Sequence, residues 1–187
     1  MKVIAINGSA RKDGNTCYLI QEVFKPLESA GVETEQIQLF DKNIAPCKAC
    51  FTCGEIKNCS HKNDDFVEIF EKVKSANGII LGSPVYSANV SAKMQAFLER
   101  AAVVCDMNVG LLRHKVGVSV AAARRGGALN AIDTMVHFFL NHEMFVIGST
   151  YWNMAYGQLP RDVMNDSEGI SNMKNLGENM AYLLKRL

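Results

Sequence analysis

The sequence predicts an α/β fold in which a parallel sheet of five strands is covered by helices on both faces. Short apolar runs alternate along the chain with longer segments of helical periodicity, and the alternation occurs five times. The first, third and fourth runs are apolar at nearly every position, as strands buried on both faces should be. The candidate strands span residues 3–6, 34–39, 78–81, 116–120 and 144–148.

The segments between these runs repeat apolar residues at helical spacing. Such stripes fall within residues 19–27, 94–105, 129–140 and 173–187. The run Asn63-Asp64-Asp65 predicts a helix N-cap ahead of a further helix over 66–75. Five strands in a chain of this length suit the flavodoxin-like order 2-1-3-4-5, a three-layer sandwich that binds FMN at the switch point between strands 1 and 3.

Length and composition predict a single domain over residues 1–187. Two connections, at about 41–62 and 149–168, are longer than helix–strand packing needs, which is typical of functional insertions. A formal net charge of +1 gives no support for binding to nucleic acid or to a membrane surface. No apolar run approaches the ~20 residues of a membrane span, and the first run is too short for a signal peptide. We therefore expect a cytoplasmic protein.

In a sheet of this kind ligands bind beyond the carboxyl ends of the strands, so the loops after strands 1, 3 and 4 are the candidate site. The first loop offers side-chain donors, two basic residues and glycines ahead of a helix N-terminus, which together predict a phosphate cradle. It matches neither the Rossmann fingerprint nor the P-loop. A Gly-rich turn with an N-capping residue is the alternative. The candidate phosphate ligands are Ser9, Arg11, Asn15 and Thr16.

The loops after strands 3 and 4 are candidates for the two sides of a planar ring. In the first of them Pro84 stiffens the backbone, and Tyr86 can pack against a ring. In the second, small residues and glycines allow close backbone approach, and Arg124 can hold negative charge. An ordinary strand–helix turn and a solvated basic turn are the alternatives. The candidates are Pro84, Val85, Tyr86, Ser87 and Asn89, then Ala122, Arg124, Gly126 and Gly127.

The stretches GSARKDGNT, GSPVYSANVSAKMQAFLERA and ARRGG together resemble the flavodoxin-like NAD(P)H-dependent FMN reductases, in particular the iron–sulfur flavoproteins. The resemblance extends from residue 1 to about residue 148. It implies that the first loop binds the FMN phosphate and that the other two line the isoalloxazine ring. It also implies NAD(P)H as a transient co-substrate and a homodimer or homotetramer. Because FMN would carry the chemistry, no catalytic acid or base is assigned.

Four cysteines, Cys47, Cys50, Cys53 and Cys59, lie within thirteen residues of the first long connection. Four thiolates at such spacing can hold an iron–sulfur cluster, although the bacterial ferredoxin pattern has a last gap of three residues and a proline after it. Here the last gap is five residues, and Ser60 follows. In the family that the sequence resembles, this run carries a 4Fe-4S cluster near the flavin. A zinc site, a thiol–disulfide pair and an empty loop are the alternatives.

Three classes of function follow from these residues. The first is a flavoenzyme that passes electrons from NAD(P)H or from ferredoxin to a small acceptor. It either uses an iron–sulfur cluster as well as FMN, or it is a quinone or flavin reductase that has no cluster. The second is a flavodoxin-like electron carrier, which the charge of +1 fits poorly because flavodoxins are typically acidic. The third is a zinc-stabilised interaction module. The aromatic stretch 151–156 is a candidate contact between subunits, unless Trp152 folds back over its own sheet.

Overall fold

The computed structural model describes residues 1–187 as a parallel sheet with helices on both faces. The strand order is β2-β1-β3-β4-β5, which is the predicted flavodoxin-like order. A sixth short strand, β6, also pairs with β4. The strands are β1 Lys2–Asn7, β2 Glu33–Gln38, β3 Gly78–Pro84, β4 Val116–Ala123, β5 Phe145–Val146 and β6 Met154–Tyr156.

The helices divide between the two faces of the sheet. On one face α1 and α6 pack closely together, and Gly177 allows this because a Cβ there would lie 2.3 Å from the backbone oxygen of Val23. The larger core cluster, on the opposite face, draws on α3, α4 and α5. The helices are α1 Asn15–Ser29, α2 Cys53–Ile56, α3 Phe66–Ser75, α4 Ala92–Asp106, α5 Ala128–Asn141 and α6 Ser167–Leu184.

The edge of the sheet beside β4 differs from the sequence-based expectation. The predicted strand over 144–148 contracts to β5, which pairs only with Val116 and Gly117. The chain then leaves the sheet and returns within the expected loop 149–168 as β6, which pairs with Ala121, Ala122 and Ala123. That segment also holds a 3-10 helix, Asp162–Asn165. The second long connection is therefore partly structured, and β6 brings it to the carboxyl end of β4.

None of the helices combines the length and the apolar character that crossing a membrane requires.

Candidate functional site

The loop after β1 forms a tight cradle at the N-terminus of α1. The backbone N–H of Ser9 donates to Asn7 Oδ1 at 2.9 Å, and that of Arg11 donates to Ser9 Oγ at 3.1 Å. A Cβ on Gly14 would lie 2.9 Å from Arg11 Cβ and 3.1 Å from Ser9 Oγ. Only glycine lets the backbone close around this space, which is the arrangement of a loop that wraps a small anion.

The first turn of α1 presents unsatisfied polar groups to this cradle. The hydroxyl of Thr16 has no hydrogen-bond partner although the residue is only 1% exposed. No side chain caps the helix, and no acidic residue lies in its first turn. A buried hydroxyl without a partner is unfavourable, and the end of the helix carries partial positive charge. An anion with oxygen acceptors would accept a hydrogen bond from the Thr16 hydroxyl and would be attracted to the positive end of the helix.

Nine of the thirteen candidate cofactor residues, drawn from all three loops, line one cleft at the carboxyl ends of β1, β3 and β4. The cleft has a volume of about 130 Å³ and carries two arginines, one from the first loop and one from the third. The nine residues are Ser9, Arg11, Asn15, Thr16, Pro84, Val85, Tyr86, Ala122 and Arg124.

The other four candidates, Ser87, Asn89, Gly126 and Gly127, lie outside the lining of the cleft. Three of them shape the loops behind it, whereas a Cβ on Gly126 would have nothing within 4 Å. Ser87, with φ 48°, sits at the tip of a tight turn that a Tyr86–Asn89 bridge closes. Asn89 Oδ1 accepts hydrogen bonds from its neighbour Val90 and from Thr134. A Cβ on Gly127, with φ 88°, would lie 2.7 Å from Ala88 Cα, so a glycine there lets the second and third loops pack together.

Two residues that line the cleft, Gly157 and Gln158, were not predicted from the sequence. They follow β6 directly. The backbone N–H of Gly157 donates to Ala123 O at 2.9 Å, and Arg11 Nη1 donates to Gln158 O at 3.0 Å. This second long connection therefore supplies one wall of the cleft and holds the Arg11 guanidinium against it. The signal in the sequence is weak, because β6 has only three residues.

The four clustered cysteines line a second cavity, of about 290 Å³, between the loop 41–62 and α4. Arg100 and His61 line it as well. The helix α2 begins at Cys53, and Ala49, Phe51 and Lys57 have positive φ angles, so the loop winds tightly around the cavity. No group of three or more His, Cys, Asp or Glu side chains forms a site that could hold a metal ion.

The thiols of this cavity have different surroundings. Hydrogen bonds from the Ser60 hydroxyl, then from Thr52, lower the pKa of the exposed Cys50 thiol to about 7. Burial raises the pKa of the Cys53 thiol, which donates to Val103 O at 3.8 Å. The sulfur of Cys47 accepts a hydrogen bond from the backbone N–H of Ala49 at 3.4 Å. The cavity thus combines an easily ionised thiol at its rim with a protonated one inside.

A buried ion pair between Arg100 and Asp64 lies beneath the cysteine loop. The two side chains are 2% and 1% exposed. Asp64 also accepts hydrogen bonds from the backbone N–H groups of Ala45 at 3.0 Å and of Phe66 at 3.3 Å. The Arg100 guanidinium lies 4.2 Å from the centre of the Phe66 ring. The pair joins α4 to both ends of the loop, and sequence reasoning had given neither residue this role.

A family model described as NADPH-dependent FMN reductase matches residues 1–158 of the chain. The chain belongs to this family. The FMN reductase resemblance and the flavodoxin-like fold are both confirmed. The protein is accordingly a flavodoxin-like flavoprotein of an oxidoreductase family, and the family implies FMN as its cofactor.

The relatives of this chain place it in the iron–sulfur flavoprotein branch of the family. An iron–sulfur flavoprotein of Methanocaldococcus jannaschii is 41% identical, and the alignment covers 99% of this chain and 98% of that protein. One of Methanosarcina thermophila is 35% identical over 83% of this chain and 84% of its own length. The NAD(P)H:quinone oxidoreductase from Methanothermobacter marburgensis shares the fold, with a TM-score of 0.73, 13% identity and 96% coverage of both chains.

Proposed function

We propose that this protein is an FMN-dependent oxidoreductase that also holds a 4Fe-4S cluster. Its electrons come from NAD(P)H or from ferredoxin, and they leave to a small acceptor. The observation that carries the proposal is that the predicted residues line two separate cavities of the chain. One is a cleft formed by the three predicted flavin loops, and the other is a cavity lined by all four clustered cysteines. The names of the relatives support the second part.

The residues of the cleft fit FMN. Arg11, the Thr16 hydroxyl and the N-terminus of α1 would bind the phosphate, with Ser9 and Asn15 beside them. The backbone at Val85 and the side chains of Tyr86 and Arg124 would hold the ring, with Ser87, Asn89 and Gly127 shaping the loops behind it. Bound FMN would supply hydride acceptance and release of electrons singly or in pairs. The protein's share is to bind, orient and shield it.

The second cavity supplies the donor set of a cluster, four thiols on one short loop, although in this structure the thiols are not gathered into a metal site. Cys47, Cys50, Cys53 and Cys59 would be the ligands. A bound cluster would accept and release electrons one at a time. The pKa of Cys50, lowered to about 7, makes thiolate, the form that binds metal, readily accessible at neutral pH.

The substitution Thr16→Val tests the phosphate site. Valine has nearly the same shape and branching as threonine, so the variant removes a hydroxyl and little else. We expect FMN affinity to fall by ~10–100-fold, since a hydrogen bond to a charged group contributes about 1.5–3 kcal/mol. We expect the flavin-free variant to be at least as stable as wild type, because the buried hydroxyl has no partner. Fluorescence titration and urea unfolding measure the two effects.

Riboflavin, which lacks the phosphate, is the matched ligand control for this variant, and Thr34→Val is the matched protein control. Thr34 lies on β2, outside the cleft, where its hydroxyl donates to the Glu28 carboxylate at the surface. Riboflavin should bind wild type and Thr16→Val equally. Equal losses for FMN and riboflavin would show that the hydroxyl does not meet the phosphate.

The electron donor is tested by reducing the bound flavin without oxygen, first with NADPH or NADH and then with reduced ferredoxin. The reductant that bleaches the flavin absorption is identified as the electron donor. An FMN-loaded protein that neither donor reduces would contradict this part of the proposal.

We further propose that the protein forms a homodimer or homotetramer through the aromatic stretch 151–156. Tyr151 and Trp152 are each 50% exposed, their ring centres lie 4.5 Å apart, and Tyr156 is 46% exposed. Exposed aromatic side chains favour interfaces. We expect the double variant Tyr151→Ser, Trp152→Ser to have a smaller mass in light scattering than wild type. An unchanged mass would rule out this surface as the interface.

A further inference from the structure

The Arg100 guanidinium reaches the cysteine cavity from inside the protein, and both of its terminal nitrogens donate to the loop 41–62 or its flank. Nη1 donates to Asp64 and, at 3.2 Å, to Ala45 O. Nη2 donates to His61 O at 3.0 Å and to Cys59 Sγ at 3.1 Å. The Arg100 side chain thus fixes the two ends of the loop and Cys59 in position relative to one another.

The bond to Cys59 distinguishes this thiol from the other three. The sulfur of Cys47 receives a neutral backbone N–H, the sulfur of Cys50 contacts the hydroxyl of Ser60, and Cys53 donates to a carbonyl. Only Cys59 has a positively charged donor. Charge-assisted hydrogen bonds are roughly twice as strong as neutral ones, and burial strengthens them further.

Stability alone does not account for a buried guanidinium at this place. A buried ion pair can often be replaced by apolar residues of similar volume without loss of stability, because both charges must give up their hydration. The Asp64 carboxylate pairs with Nη1, which leaves Nη2 directed at the sulfur and at the His61 carbonyl. This arrangement keeps a positively charged N–H group of Arg100 hydrogen-bonded to the sulfur of Cys59, which lines the cavity.

We propose that Arg100 is a positioning residue of the cysteine site, which holds Cys59 toward the cavity and raises the reduction potential of the cluster. This inference rests on the proposed function. Uptake of one electron adds one negative charge to the four-thiolate site and breaks no bond. An N–H donor on one ligand sulfur stabilises that charge, and hydrogen bonds to sulfur are among the factors that set cluster potentials.

The test compares wild type with Arg100→Gln and Arg100→Lys, each purified and loaded without oxygen. A redox titration followed by electron paramagnetic resonance gives the cluster potential, and the absorption of FMN gives the flavin potential in the same sample. We expect the cluster potential of Arg100→Gln to fall by about 59 mV, which is a tenfold change for one electron. The flavin potential should stay unchanged, because Arg100 does not line the flavin cleft.

A second readout is the rate at which an iron chelator removes the cluster. Loss of a residue that orients a metal ligand costs about 10–100-fold in metal affinity, so we expect removal from Arg100→Gln to be about tenfold faster. Lysine keeps the charge but lacks the planar fork that reaches Asp64 and Cys59 together. Arg100→Lys should therefore also have a lowered potential, and it carries the test if Arg100→Gln does not fold.

The matched control is Lys48→Gln, which removes one positive charge from the lining of the same cavity. Lys48 is exposed and makes no bond to a sulfur, so its charge is screened by water. The cluster potential of Lys48→Gln should shift much less than that of Arg100→Gln. An iron-loaded arginine variant with the wild-type potential, or a control that shifts equally, overturns the role of Arg100 alone. A wild-type protein that binds FMN but no cluster overturns both this inference and the cluster part of the proposed function.

Discussion

Replacement of Cys59 by serine should abolish the iron–sulfur cluster and leave the flavin in place. The cluster needs four thiolate ligands, and the short loop that carries them offers no fifth cysteine. Iron should fall from about four atoms per chain to less than about one. FMN content should not change, because no cysteine lines the flavin cleft. Iron, sulfide and flavin analysis of protein prepared without oxygen measures both outcomes.

The same loss is expected for Cys47→Ser, Cys50→Ser and Cys53→Ser, since all four thiols line one cavity. Cys17→Ser is the matched control. Cys17 lies on α1, outside this cavity, and its sulfur accepts a hydrogen bond from Gln36 Nε2 at 3.4 Å. The control should keep its full iron content. Retention of iron in any of the four cavity variants would remove that cysteine from the ligand set.

The substitution Asp64→Asn should lower the free energy of unfolding by about 3–5 kcal/mol, the usual cost of removing one partner of a buried ion pair. Asparagine keeps the shape of the side chain but leaves the Arg100 charge without compensation in a site that is 2% exposed. The neighbouring Asp65→Asn is the control. Asp65 is 33% exposed and lies 3.7 Å from Lys42 Nζ, so its ion pair should contribute less than about 1 kcal/mol. Urea unfolding at pH 7 measures both.

The effect of Asp64→Asn should depend on pH. Burial raises the pKa of Asp64, but the Arg100 guanidinium and the backbone donors lower it more, so the folded-state pKa lies below the ordinary value. The ionised carboxylate therefore stabilises the folded protein above the unfolded pKa of about 3.9, and this contribution is lost as the pH falls through the lower folded pKa. The difference between wild type and variant should be constant from pH 5 to 7 and should shrink below about pH 4. A difference that does not shrink as the pH falls below about 4 would contradict the assignment.

The central part of the fold could be predicted because its physical signals are local. β1, β3 and β4 are buried on both faces and read as continuous apolar runs. The helix Phe66–Ser75 begins and ends where the sequence indicated. β6 could not be predicted in the same way. Its three residues carry no periodicity, and they become a strand only because the carboxyl end of β4 offers an unpaired edge.

The residues of the candidate site could be predicted where one loop contains all the side chains of a binding feature. The cradle residues and the cysteines could be found because they are contiguous. The wall formed by Gly157 and Gln158 depends on β6 and is a product of tertiary pairing. Asp64 was interpreted as part of a helix cap, and its Oδ1 does accept the N–H of Phe66. Its pairing with Arg100, 36 residues away, has only one signal in the sequence, a charge inside an apolar helical stripe.

Whether FMN and a cluster are bound by the same chain is measured by the absorption spectrum of wild-type protein purified without oxygen, together with its flavin, iron, sulfide and zinc content. We expect flavin bands with a broad shoulder at about 400 nm, about one FMN per chain, and about four irons and four sulfides per chain. Flavin without iron would leave an FMN reductase whose cysteine cavity holds no cluster. Zinc without flavin would show that the protein is neither a flavoprotein nor an iron–sulfur protein.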